Sequence, residues 1–182
     1  IQYLDRLTTL EKERFFTFTN LKRKQEFVAT RLLRHEVIGF QHIHYNNVGA
    51  PYIEDEGYIS ISHTKNLVGF ALCKTFQIGL DLEVIQEKIT AIKHKFLSDT
   101  EKENFEIDDC EELTKIWSAK ETLYKLSGLK GLNFRTELEL NKISDDIWKG
   151  YIKKEEDPKT TTLKIHKEKN VILTLNISAC EK

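Results

Sequence analysis

The sequence predicts an α+β fold built from two similar halves, residues 1–87 and 88–182. Three observations lead there. Helical periodicity gives way to a run of short strands twice along the chain. The same Lys-Asn-apolar step opens a strand in each run, at Lys65-Asn66-Leu67 and at Lys169-Asn170-Val171. Only two prolines and eight glycines punctuate the 182 residues, so no low-complexity linker divides them. Each half therefore reads as a long helix on a small antiparallel sheet. A duplicated unit of this kind places a ligand cleft between its halves.

The elements follow in order. Thr8 or Thr9 ahead of LEKERFF caps a first helix over about 8–19. A second helix over about 21–40 carries Val28, Ala29, Leu32, Leu33 and Val37 on a 3.6 period, with Lys24, Arg31 and His35 near the opposite side. Three short segments, 58–63, 67–73 and 77–84, alternate and are joined by polar turns, which predicts one antiparallel meander. A helical stretch over 88–105 contains Ser98-Asp-Thr-Glu101, a capping box that starts a new helix at Asp99. Residues 108–112 form an acidic loop or helix entry, and 112–127 a strong helix. Strands near 134–140, 147–153, 161–167 and 171–178 close the chain.

Composition narrows the function. Lys and Arg total 28 against 29 Asp and Glu, and this balance argues against a general nucleic-acid binder. No apolar run approaches the ~20 residues of a membrane span. The charged start, without a secretory pattern, and three scattered cysteines that form no zinc motif predict a cytoplasmic location.

Two segments carry chemistry. In Gly79-Leu80-Asp81-Leu82-Glu83 the strand period puts Leu80 and Leu82 on one face and Gly79, Asp81 and Glu83 on the other. Two carboxylates held roughly 6–7 Å apart on a strand repel. A hard divalent cation with oxygen ligands relieves that repulsion. Gly79, lacking a side chain, leaves room for a ligand to approach the backbone. In the helix at 112–127, Trp117, Lys120, Glu121 and Tyr124 share a stripe, and Glu121 and Lys125 form an i, i+4 pair. Three acids for a metal and two lysines against phosphate charge are the ingredients of phosphoryl transfer.

Ile61-Ser62-His63-Thr64, Gly79-Leu-Asp-Leu-Glu83 and Trp117-Ser-Ala-Lys-Glu-Thr-Leu-Tyr-Lys125, in this order, resemble the 4′-phosphopantetheinyl transferases of the longer, single-chain, pseudo-dimeric type. The resemblance covers about residues 20–135. It implies two pseudo-twofold-related α+β halves with coenzyme A in the cleft and Mg²⁺, or Mn²⁺, on its pyrophosphate. It implies Asp81, Glu83 and Glu121 as metal ligands, and Glu121 as general base, directly or through a water. Lys120 and Lys125 would neutralise phosphate oxygens, with Lys125 assisting the leaving group. Ser62 and His63 would meet the 3′-phosphate, and Arg31 would lie near the nucleotide. The implied reaction moves 4′-phosphopantetheine from coenzyme A to a serine of an apo acyl or peptidyl carrier protein, releasing adenosine 3′,5′-bisphosphate. The expected enzyme is a monomer with no nucleic-acid or membrane partner.

Two departures stand out. Where the family often has Tyr-Gly-Lys-Pro before the Ser-His strand, this chain has Val48-Gly49-Ala50-Pro51, without the lysine. The turn after the helix, Gly128-Leu129-Lys130-Gly131, is one residue longer than in many relatives. Two alternatives stay open: a scaffold that binds coenzyme A or a carrier protein without catalysis, and Mg²⁺-dependent phosphoryl transfer to another substrate. The presence of all three acids disfavours the first. The lack of a Walker-type loop weakens a generic nucleotidase.

Overall fold

Thr8 starts the first helix. Its hydroxyl accepts from Glu11 N while the Glu11 carboxylate accepts from Thr8 N, so two orphan amides are satisfied together. The computed structural model describes residues 3–154 and 158–182. Helix α1 (Thr9–Thr17) is followed by α2 (Leu21–Ile38), capped by the Asn20 side chain on Arg23 N.

The buried side of α2 differs from the expected one. Phe27, Val28, Thr30, Arg31 and Arg34 are buried, while Leu33 and Val37 face solvent. Glu11 is the reason. Buried on α1, it pairs with Arg34 at 3.0 Å and Arg31 at 3.4 Å. A buried carboxylate requires cationic partners, and this need outweighs the hydrophobic pattern of the helix.

Two hairpins follow. Strands β1 (His44–Tyr45) and β2 (Pro51–Tyr52) flank a turn in which Asn46 Oδ1 accepts from Val48 N and Ala50 N. Strands β3 (Tyr58–Thr64) and β4 (Leu67–Cys73) pair antiparallel, as the sequence indicates. The third strand, β5 (Leu80–Val84), does not extend this hairpin into a meander. It pairs antiparallel with the last strand of the chain. Its outward amides at Leu80 and Leu82 are satisfied by the Ser60 and Ser62 hydroxyls of β3, at 2.9 and 3.1 Å. Side-chain oxygens thus take the place of a backbone ladder, and the hairpin borders β5 without joining its sheet.

The helical stretch after β5 is broken into α3 (Lys88–Ile92), a short 3₁₀ turn and α4 (Asp99–Asn104). The Ser98–Glu101 capping box starts α4. Helix α5 (Cys110–Ser127) is capped by Asp109, whose carboxylate accepts from Glu111 N and Glu112 N, and ends at Gly128 with φ +64°. Strands β6 (Leu138–Lys142), β7 (Ile147–Ile152), β8 (Lys159–Glu168) and β9 (Val171–Asn176) complete an antiparallel sheet in the order β5-β9-β8-β7-β6. The first of these starts four residues later than expected, because 134–137 form a turn around Asn133.

Helix α5 lies against this sheet. Leu113, Ile116, Leu123 and Leu126 join Trp148, Leu163 and Ile172 in the main core. The close approach explains two glycines. A Cβ at Gly150 would stand 2.7 Å from Leu123, and one at Gly79 would stand 2.8 Å from both Leu126 and the Thr122 carbonyl. Gly79 therefore makes room for α5, not for a ligand. Among the described residues no helix is long and apolar enough to cross a membrane.

Candidate active site

The site forms where β5 meets α5. Asn176, buried at the end of β9, fixes the approach to β5. Its Oδ1 accepts from Gly79 N at 2.7 Å and its Nδ2 donates to the Gln77 carbonyl at 2.9 Å. Thr122 on α5 donates to the Thr174 carbonyl on β9, directly opposite Asp81 in the sheet register. Neither Asn176 nor Thr122 carries a signal of this role in the sequence, since each acts across a long separation.

Asp81 is 4% exposed and is held from two sides. Its Oδ1 accepts from Ser62 Oγ at 3.0 Å and from Lys125 Nζ at 3.0 Å. Its Oδ2 is buried and has no hydrogen-bond partner among the described residues. Two residues along the strand, Glu83 accepts from Trp117 Nε1 at 2.9 Å. Burial, and secondarily the Asp81 charge, raise the Glu83 carboxyl above its ordinary pKa. Glu121 on α5 faces the same charges. Burial pushes it up to about 7, with Asp81 and Glu83 adding to the rise and Lys125 opposing it. The expected grouping of Asp81, Glu83, Glu121 and Lys125 is thus present as one electrostatic neighbourhood.

As the chain is arranged, no three Asp, Glu, His or Cys side chains among the described residues stand in ready metal-binding geometry. Mg²⁺ nevertheless needs only one or two carboxylates, because waters and substrate phosphates complete its shell. The unpartnered Oδ2 of buried Asp81 is a donor of the right chemistry for such an ion.

Four of the expected cofactor-binding residues are placed differently from one another. Lys120 is fully buried and does not reach the acids. Its ammonium donates to Glu101 at 2.7 Å and to the carbonyls of Phe96, Phe134 and Leu138. The reason is helical geometry: neighbouring residues are about 100° apart, so Glu121 and Lys120 look toward different elements. Burial holds the Lys120 ammonium below its usual pKa, and Glu101 opposes that. Arg31 is 3% exposed and committed to Glu11, to Tyr45 Oη at 3.3 Å and to the Phe27 ring at 3.7 Å. Ser62 is buried and serves Asp81 and Leu82 N, so it orients the carboxylate. His63, the next residue on β3, points to the opposite face. It is 43% exposed and pairs with Glu26 of α2 at 3.4 Å.

Two cavities lie near the acids, and Glu83 lines the smaller one. The larger, about 450 Å³, is walled by the β1–β2 hairpin, β3, Tyr124 and Lys125 of α5, and the turn after α5. The smaller, about 220 Å³, opens on Glu83 and Trp117 beside Lys88 and Ile89 of α3. Lys125 connects the first to Asp81, and Trp117 connects the second to Glu83.

The profile of the 4′-phosphopantetheinyl transferase superfamily matches residues 77–175, just over half of the chain. The match begins at the segment leading into β5 and ends in β9, and so covers Asp81, Glu83, Glu121 and Lys125. No curated protein matches the chain.

Proposed function

Because the chain belongs to the 4′-phosphopantetheinyl transferase superfamily, we propose that it transfers 4′-phosphopantetheine from coenzyme A to a serine of an apo acyl or peptidyl carrier protein. The observation that carries this reading is Asp81. It is a buried carboxylate with one oxygen fixed by Ser62 and Lys125 and the other without a hydrogen-bond partner among the described residues, and its neighbours Lys125 and Glu83 each line a cavity. Asp81 would hold Mg²⁺ through Oδ2, with Glu83 and Glu121 beside it, directly or through the ion's waters. The ion, when bound, neutralises charge on the coenzyme A pyrophosphate.

The residues of the chain do the rest. Glu121 accepts the proton of the attacking serine hydroxyl, from its place on α5 beside Asp81, Glu83 and Lys125. The serine oxygen forms a bond to the phosphorus bearing pantetheine. The bridging P–O bond breaks, and adenosine 3′,5′-bisphosphate leaves. Lys125 has two of its three protons on Leu80 O and Asp81 Oδ1, which leaves one for the departing phosphate. Ser62 keeps Asp81 in place, and Trp117 does the same for Glu83.

The pseudo-dimeric arrangement of halves 1–87 and 88–182 is supported by α2 and α5, each of 18 residues and each followed by antiparallel strands. The larger cavity, walled from both halves, is the proposed coenzyme A cleft. Incubation with coenzyme A and Mg²⁺ tests the reaction. Adenosine 3′,5′-bisphosphate should appear only when an apo carrier protein is added and should vanish with a chelator. Release without a carrier, or none with several acyl and peptidyl carriers, would refute it.

A further inference from the structure

The larger cavity carries a cation, Lys130, to which the transfer chemistry above gives no role. No aspartate or glutamate is among its described lining residues, and its two cations are Lys125 and Lys130. Lys125 is committed to Asp81 and the Leu80 carbonyl. Lys130 is not so committed. Among the described residues its ammonium makes one long contact, 3.5 Å to the Asn47 carbonyl in the turn between β1 and β2.

The position of Lys130 is fixed by its turn. Gly128 at φ +64° ends α5, Gly131 takes φ +75°, and Leu129 N donates to Ser127 Oγ. Opposite stands the turn from Asn46 to Tyr52, held by the Asn46 side chain and carrying no charged residue. The cavity is therefore a positively biased slot. One wall has no charge of its own and the other projects a largely unpaired ammonium over it.

We propose that Lys130 binds a phosphate of coenzyme A, closing the cleft mouth from the α5–β6 turn and supplying the positive charge that the Val48-Gly49-Ala50-Pro51 turn lacks. The assignment rests on the transfer reaction proposed above. A lysine suits the role: its ammonium is a point charge on a long stem, with protons left over after the single Asn47 contact. The two departures noted in the sequence then compensate one another. The longer turn after α5 carries its lysine to the place where the other turn has none.

Lys130→Gln removes the charge but keeps a donor for the Asn47 carbonyl. Measured with coenzyme A at saturating apo carrier protein and Mg²⁺, it should raise KM by roughly tenfold with kcat little changed. The Kd for coenzyme A by calorimetry should rise in parallel, and Lys130→Arg should restore most of both. Repeating the comparison with 3′-dephospho-coenzyme A locates the contact. A penalty that disappears assigns the ammonium to the 3′-phosphate, and an equal penalty assigns it to the pyrophosphate. Unchanged KM and Kd in Lys130→Gln would overturn the assignment while leaving the transfer reaction intact. If the unaltered protein fails to transfer but Lys130→Gln still weakens coenzyme A binding, the reaction falls and the contact stands.

Discussion

Burial and two neighbouring carboxylates hold Glu121 at about 7, and this has a consequence for stability as well as catalysis. A carboxyl whose folded pKa lies above its unfolded value contributes stability that is fully present below about pH 4.5 and is lost as pH rises through about 7. The ligand-free protein should therefore lose stability between those limits. Glu121→Gln should flatten that dependence in denaturant titrations at pH 5 and pH 8, and should be the more stable protein at pH 8. The same variant should lose about 10²–10⁴ in turnover, the usual worth of a general base. Full activity in a folded Glu121→Gln would remove the residue from the mechanism. Asp81 and Glu83 were legible in the sequence because strand alternation is a local rule. Arg31 was not, because its fate depends on Glu11 one helix away. The face of Gly79 follows from strand alternation, but what it makes room for depends on α5 packing over it.

At the scale of elements, α5 is the part that makes the site, and Lys120 is what locks it. Its ammonium ties α5 to Glu101 of α4 and to the carbonyl of Leu138 at the start of β6. Glu101 in turn accepts from Ser98 N and Leu140 N. Lys120→Met leaves buried Glu101 without its cationic partner, and should cost about 3–5 kcal/mol in chemical denaturation. Adding Glu101→Gln should recover part of that loss, a coupling that a surface lysine aimed at phosphate would not show. Gly79→Ala should destabilise by about 1–3 kcal/mol, since its Cβ would meet Leu126 and the Thr122 carbonyl. The helices, capping boxes and most strands were readable from periodicity and cap residues. The pairing of β5 with β9 was not, because nothing local distinguishes a strand that finishes a hairpin from one that starts another sheet.

Over the whole molecule, β5 follows the β3–β4 hairpin in sequence but hydrogen-bonds to β9, so the candidate site lies where that hairpin borders the five-stranded sheet. Ligands that grip that seam should stabilise the whole fold. Coenzyme A with Mg²⁺ at a hundred times Kd should add about 2.7 kcal/mol, seen as a rise in Tm that a chelator reduces. Asp81→Asn should lose most of the Mg²⁺-dependent part of the rise. The cavity walls come from this junction, which no single stretch of sequence encodes, whereas the split placement of Ser62 and His63 follows from the alternation of β3. The most direct measurement is the intact mass of an apo carrier protein after incubation with coenzyme A and Mg²⁺, using the unaltered chain and Glu121→Gln side by side. The carrier should gain one phosphopantetheine with the unaltered chain and almost none with the variant. No gain on any of several acyl and peptidyl carriers, or equal gain with both proteins, would contradict the assignment of this site.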